Sequence, residues 1–157
     1  MRRKLLISAA LLGWLSACQQ EQSDAGVTAG EDSAPQPLDL APVTFADIER
    51  ENLFGAGCSF APAGGGIGAL AIAQNDAGYL KINDRVERFE ADMNSAELPL
   101  GARQRYAGSA YSFKLQIEQV AGEKSGYETV NYPGRLIVRS EAGEVVFESG
   151  GVVQCGS

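Results

Sequence analysis

Tyr111-Ser112-Phe113-Lys114-Leu115-Gln116-Ile117-Glu118 sets four large apolar side chains in strict alternation with four polar ones. A period of two belongs to an extended strand with one dry face and one wet face. Shorter runs of the same kind occupy residues 70–73, 79–82, 85–89, 103–107, 135–139, 144–147 and 152–155. Turn-forming sequences separate them: Asn75-Asp76-Ala77-Gly78, Asn83-Asp84, Pro99-Leu100-Gly101, Tyr132-Pro133-Gly134, Glu141-Ala142-Gly143 and Gly150-Gly151. About seven or eight short strands joined by tight turns predict a mainly β fold. An antiparallel meander closed into a small barrel or sandwich is its natural form, because closure limits exposed strand edges. No internal repeat of fixed period is present.

The N-terminus reads differently. Arg2, Arg3 and Lys4 precede an apolar stretch over residues 5–17, about half of the roughly 20 residues needed to cross a bilayer as a helix. A basic start, an apolar middle and small residues before a cut site describe a secretory signal peptide over residues 1–17. Leu15-Ser16-Ala17-Cys18 resembles the lipobox of bacterial lipoproteins, which implies a diacylglyceryl group on the Cys18 thiol, cleavage before it and further acylation of the new amino group. Two or more acyl chains anchor a protein stably where one does not. In that resemblance Gln19, standing where Asp would retain the product at the inner membrane, implies the outer membrane, facing the periplasm.

From Gln19 to Val43 the composition shifts to Gln, Ser, Ala, Gly and Pro, with five acidic residues and no basic ones. Such a stretch cannot bury enough apolar area to offset its ordering entropy. Residues 18–43 are therefore expected to be the acylated cysteine and a disordered acidic tether, reaching roughly 25 to 30 Å from the anchor as a random coil.

Residues 44–157 are expected to form a single domain, long enough for one modest core. It opens on Thr44-Phe45-Ala46-Asp47, in which Thr44 caps a short helix and Asp47 returns the bond as a capping box. Phe45, Ile48 and Leu53 should share the face that packs on the sheet, with Gly55 and Gly57 stopping the helix. Once Cys18 is acylated, two cysteines remain in an oxidising compartment, so Cys58 and Cys155 are expected to pair and fasten the two ends of the domain. They form no Cys-x-x-Cys motif, which argues against a redox role.

Function is bounded mostly by exclusion. The chain carries 13 basic and 20 acidic residues, a net of −7, and residues 1–17 hold three of the basic ones and none of the acidic ones. Such acidity argues against nucleic acid and against anionic lipid headgroups, and suits a basic partner. With no histidine there is no Ser-His or Cys-His pair and no imidazole metal site. No Asp-x-Asp-x-Asp-Gly run offers a calcium loop. Gly64-Gly65-Gly66-Ile67-Gly68-Ala69-Leu70-Ala71 contains a Gly-x-Gly-x-x-Ala string, but a dinucleotide site also needs a buried parallel strand before it and a helix after it. A flexible hairpin loop is the expectation. No cofactor and no metal is expected. A carboxylate pair is the remaining catalytic route, with Asp92 and Glu97 as examples among many acids, and an enzyme is not the expectation.

Arg103-Gln104-Arg105-Tyr106-Ala107-Gly108-Ser109-Ala110-Tyr111 is the one strongly basic, aromatic-rich patch. Two readings stand: an interface built on Arg103, Arg105, Tyr106, Ser109 and Tyr111, or a hairpin whose tyrosines are core and whose arginines pair with nearby acids. The lipobox, a small β domain with a cysteine near each end, and a Leu-Pro followed by Gly-Ser-Ala-Tyr also resemble the layout of the membrane-bound inhibitors of C-type lysozyme. That resemblance implies a loop inserted into the cleft of a basic enzyme. The match is in outline: Gly108 precedes Ser109 where the family's Ser-Gly-x-x-Tyr motif places glycine after it, and the family's Thr-Lys-Gly segment has no counterpart, since Lys124-Ser125-Gly126 lacks its setting. The sequence thus predicts a lipid-anchored, non-catalytic binding or structural module of the cell envelope, with a membrane and an envelope protein as partners. An inhibitor of host C-type lysozyme is the alternative, and a carboxylate-dependent hydrolase the second.

Overall fold

Phe113 and Leu115 of the alternating segment point into a closed interior while Ser112, Lys114 and Gln116 face outward. The computed structural model describes residues 37–66, 68–118 and 121–157. Its strands are β1 (Leu40–Ala41), β2 (Gly57–Pro62), β3 (Ala71–Ala73), β4 (Ala77–Ile82), β5 (Arg85–Ala91), β6 (Arg105–Ala107), β7 (Tyr111–Ile117), β8 (Glu123–Lys124), β9 (Val130–Ser140) and β10 (Val145–Gly156). Helix α1 (Phe45–Glu51) lies between β1 and β2, and a 3₁₀ turn (Pro99–Gly101) between β5 and β6.

Each of β2, β3, β4, β5, β6, β7, β9 and β10 pairs antiparallel with the next, and β10 returns to pair with β2. The result is an eight-stranded up-and-down barrel, so of the two closures expected the molecule adopts the barrel. The two short strands β1 and β8 add to β4 and β9. The predicted turn Asn83-Asp84 is a two-residue hairpin with φ of 49° and 60°, the doubly positive geometry that matches strand twist.

Side chains fill the barrel. Phe60, Leu80, Phe89, Tyr106, Phe113, Leu115, Leu136, Val138 and Val153 are all 2% exposed or less. Tyr106 stacks on Phe113 at 4.8 Å between ring centroids, and Phe89 meets Phe113 edge-on at 5.3 Å, arrangements that suit the ring quadrupoles. One end is crossed by residues 38–43. The Leu38 amide donates to the Val146 carbonyl on β10 at 2.9 Å, Leu40 pairs with Ile82 on β4, and both leucines pack on the core. At the other end the loop from β5 to β6 folds inward, burying Leu98 and Ala102 in the same core and bringing the Pro99 carbonyl 3.6 Å from Cys58 Sγ.

Three expectations about boundaries change. The folded segment starts before Thr44, since Leu40–Ala41 is a strand and Val43, 1% exposed, bridges to Ala69. The remainder of the expected tether lies outside the described residues. Tyr132-Pro133-Gly134 and Gly150-Gly151 are not turns but lie inside β9 and β10, the two longest strands. The stretch 58–62, outside the strands expected from alternation, belongs to β2 and supplies the buried Phe60.

Helix α1 forms as predicted through its capping box, and packs on the outer wall, where Ile48 and Leu53 meet Val43, Ile72, Tyr79 and Val86. It ends earlier than the glycines suggest, at Asn52 in the left-handed region with φ 54°. Phe45 does not share the packed face: it is 65% exposed and meets Phe54 edge-on at 6.3 Å.

Candidate functional site

The residues singled out between Arg103 and Tyr111 split between core and surface. Tyr106 is a correction: at 1% exposure it is core and offers nothing to a partner. Its hydroxyl accepts from the Arg103 amide at 2.7 Å and donates to the Gln74 carbonyl at 2.6 Å. Burial pushes that phenol above its usual range, and the Arg103 amide partly offsets the shift. Tyr111 is half-buried and packs on the core. Arg103 lies 3.5 Å from a Glu97 oxygen, and Arg105 holds Asp92 at 3.0 Å, so each candidate carboxylate is tied to an arginine. Arg105 is exposed despite that pairing, and Ser109 is exposed on the tip between β6 and β7, where the Gly108 amide donates to the Tyr111 carbonyl. The reading with core tyrosines and paired arginines therefore describes most of this stretch.

The disulfide between Cys58 and Cys155 is present, both residues 3% exposed, and joins the first and last barrel strands where they pair. Cys18 lies outside the described residues. The Gly-rich string joins two antiparallel strands, β2 and β3, so the parallel strand and helix of a dinucleotide site are not built there.

Strand pairing assembles a cleft that the linear sequence conceals. Across the outer wall Arg105 of β6 stands opposite Lys114 of β7, and Lys114 opposite Ile137 of β9. In the next row Ala107 faces Ser112, and Ser112 faces Arg139. These residues with Asp92 line a cleft of about 430 Å³. Arg105 is engaged by Asp92, and Arg139 donates to the Gly143 carbonyl at 2.8 Å. Lys114 enters no ion pair among the described residues. Sequence reasoning found Arg105 and missed Lys114, Ser112 and Arg139. The signal was the register of the hairpin, since a turn centred on Ser109 and Ala110 sets 105 against 114 and 107 against 112.

A second concavity of about 390 Å³ lies between α1 and the β2 end of the wall, lined by Phe45, Phe54, Ile72, Gln74 and Gln154 among others. It is more apolar and carries no cation. Comparison with protein-family models, with curated proteins and with solved structures finds no match for this chain.

Proposed function

We propose that the chain is a lipid-anchored binding module of the cell envelope, held at Cys18 on the periplasmic face of the outer membrane. Its acidic segment serves as tether, and the outer wall of its barrel meets a partner. The observation that supports this reading most is the packing of the barrel. Aromatic rings fill the interior, residues 38–43 cover one end and the Pro99–Gly101 loop the other, which leaves the exterior for recognition. Attachment is tested by fractionation. Cys18→Ser should move the protein from the membrane to the soluble fraction, and an unchanged membrane fraction overturns the anchor. Crosslinking in cells should then recover a defined envelope partner.

One feature favours a second reading as an inhibitor of C-type lysozyme. Ser109 projects at an exposed hairpin tip beside Tyr111, the kind of loop that such an inhibitor inserts, on a chain whose net charge of −7 suits a basic enzyme. The full chain should then protect cell walls from lysozyme and Ser109→Ala should weaken the protection. Equal lysis with and without the protein removes this reading.

A further inference from the structure

We infer that the cleft over β6, β7 and β9 is a binding site for a phosphate group carried by a small organic molecule or a lipid headgroup. Like charges directly opposite each other on a sheet face repel and destabilise the pair, yet Arg105 and Lys114 occupy one such position. Arg139 lines the same cleft from the next row. Asp92 is the sole carboxylate in the lining, so three cations face one anion. In a chain of net charge −7 this is a local excess of positive charge that one carboxylate does not balance, although Arg139 also donates to the Gly143 carbonyl. Asp92 already serves Arg105, and among the described residues Lys114 enters no ion pair, which leaves its amine to a ligand.

The chemistry of the lining specifies the ligand. An arginine fork and an ammonium give charge-assisted hydrogen bonds to a tetrahedral oxyanion, and the Ser112 hydroxyl can donate a further bond from the row between them. The volume of about 430 Å³ lies in the range of small-ligand sites and exceeds what a bare oxyanion needs. Ala107 and Ile137 supply an apolar floor for an organic substituent. The acidic surroundings select against an extended polyanion, whose charge would be repelled beyond the cleft.

The test is a titration of the full acylated chain in detergent micelles with inorganic phosphate, followed by amide chemical shifts against chloride at matched ionic strength. Shifts should concentrate on Arg105, Ser112, Lys114 and Arg139. Lys114→Gln should weaken the apparent affinity about tenfold, the loss of one charge-assisted bond. Arg135→Gln, outside the cleft and paired with Glu118 and Glu148, should leave it unchanged. Arg139→Gln repeats the test should Lys114→Gln fail to fold. Vesicles with and without phosphatidylglycerol, offered to the Cys18→Ser chain, separate the two sources. Association that falls on adding Lys114→Gln assigns a headgroup, and association indifferent to it assigns a soluble phosphate ester. Shifts absent from the cleft, or insensitive to both cleft variants, overturn the inference. The same titration on the Cys18→Ser chain without detergent does not depend on the anchor, so failure of the anchor and failure of the site are separately visible.

Discussion

At the scale of single residues, two glycines explain why the sequence looked more broken than the molecule is. A Cβ at Gly151 would collide with the Ala61 carbonyl on the neighbouring strand, and one at Gly134 with the Gln116 carbonyl and Val153. These glycines mark close backbone approach inside continuous strands, a meaning that a one-dimensional reading cannot separate from a turn. Pro133 fits for a related reason: its carbonyl accepts from the Glu118 amide, just past the end of β7, so the missing N–H faces an edge where the ladder has stopped. Gly150 differs, because no atom lies within 4 Å of its would-be Cβ. Gly151→Ala should therefore destabilise the barrel by about 1–3 kcal/mol through overpacking, whereas Gly150→Ala should be neutral or slightly stabilising. Urea denaturation of the pair checks this, and equal midpoints would refute the crowding account.

At the scale of elements, local signals were legible and long-range ones were not. The capping box and the Asn83-Asp84 hairpin depend on neighbours in sequence and were readable. The two-residue β8 has no alternation to read, and the cationic cleft draws its side chains from three strands. The apolar face of α1 was readable apart from Phe45, but the ion network that ties the helix to β4 is likewise invisible in sequence. Asp47, 3% exposed, accepts from the Thr44 amide at 2.9 Å, from Arg50 at 2.6 Å and from Lys81 of β4 at 3.1 Å. The Thr44 amide, then the Arg50, Thr44 hydroxyl and Lys81 bonds, hold its carboxyl well below the usual carboxylate range, against the opposing effect of burial. A carboxyl depressed in the folded state stabilises fully above its unfolded value, about 4, and loses that contribution as pH falls toward the folded one. Asp47→Asn should thus be less stable than wild type at neutral pH, with the gap narrowing progressively as the pH is taken from about 4 down to about 2. A gap constant over that range, measured by denaturation at each pH, would show that the ion network does not carry the docking.

At the scale of the whole molecule, the barrel is closed unevenly. Strands β2 and β10 pair along all of Gly57–Pro62 and share the disulfide, which links positions 97 residues apart in sequence. Strands β5 and β6 meet through only two residue pairs, Glu90 with Ala107 and Ala91 with Tyr106. What backbone pairing lacks there, Tyr106 supplies. Its ring stacks on Phe113 and its hydroxyl ties the Arg103 amide to the Gln74 carbonyl at the β3–β4 turn. Local opening starts where few buried backbone bonds must break, so amides of β6 should exchange with solvent well before those of β2 and β10. Tyr106→Phe keeps the ring and leaves two backbone groups without their partner, a loss of about 1–3 kcal/mol. That loss should speed exchange in β6 more than in β10. Replacing both Cys58 and Cys155 by alanine should do the reverse, costing about 2–5 kcal/mol and releasing β2 and β10 while the order of the β6 amides changes little. If both variants accelerate every strand equally, the barrel opens as one unit and the tyrosine seam is not a separate point of failure.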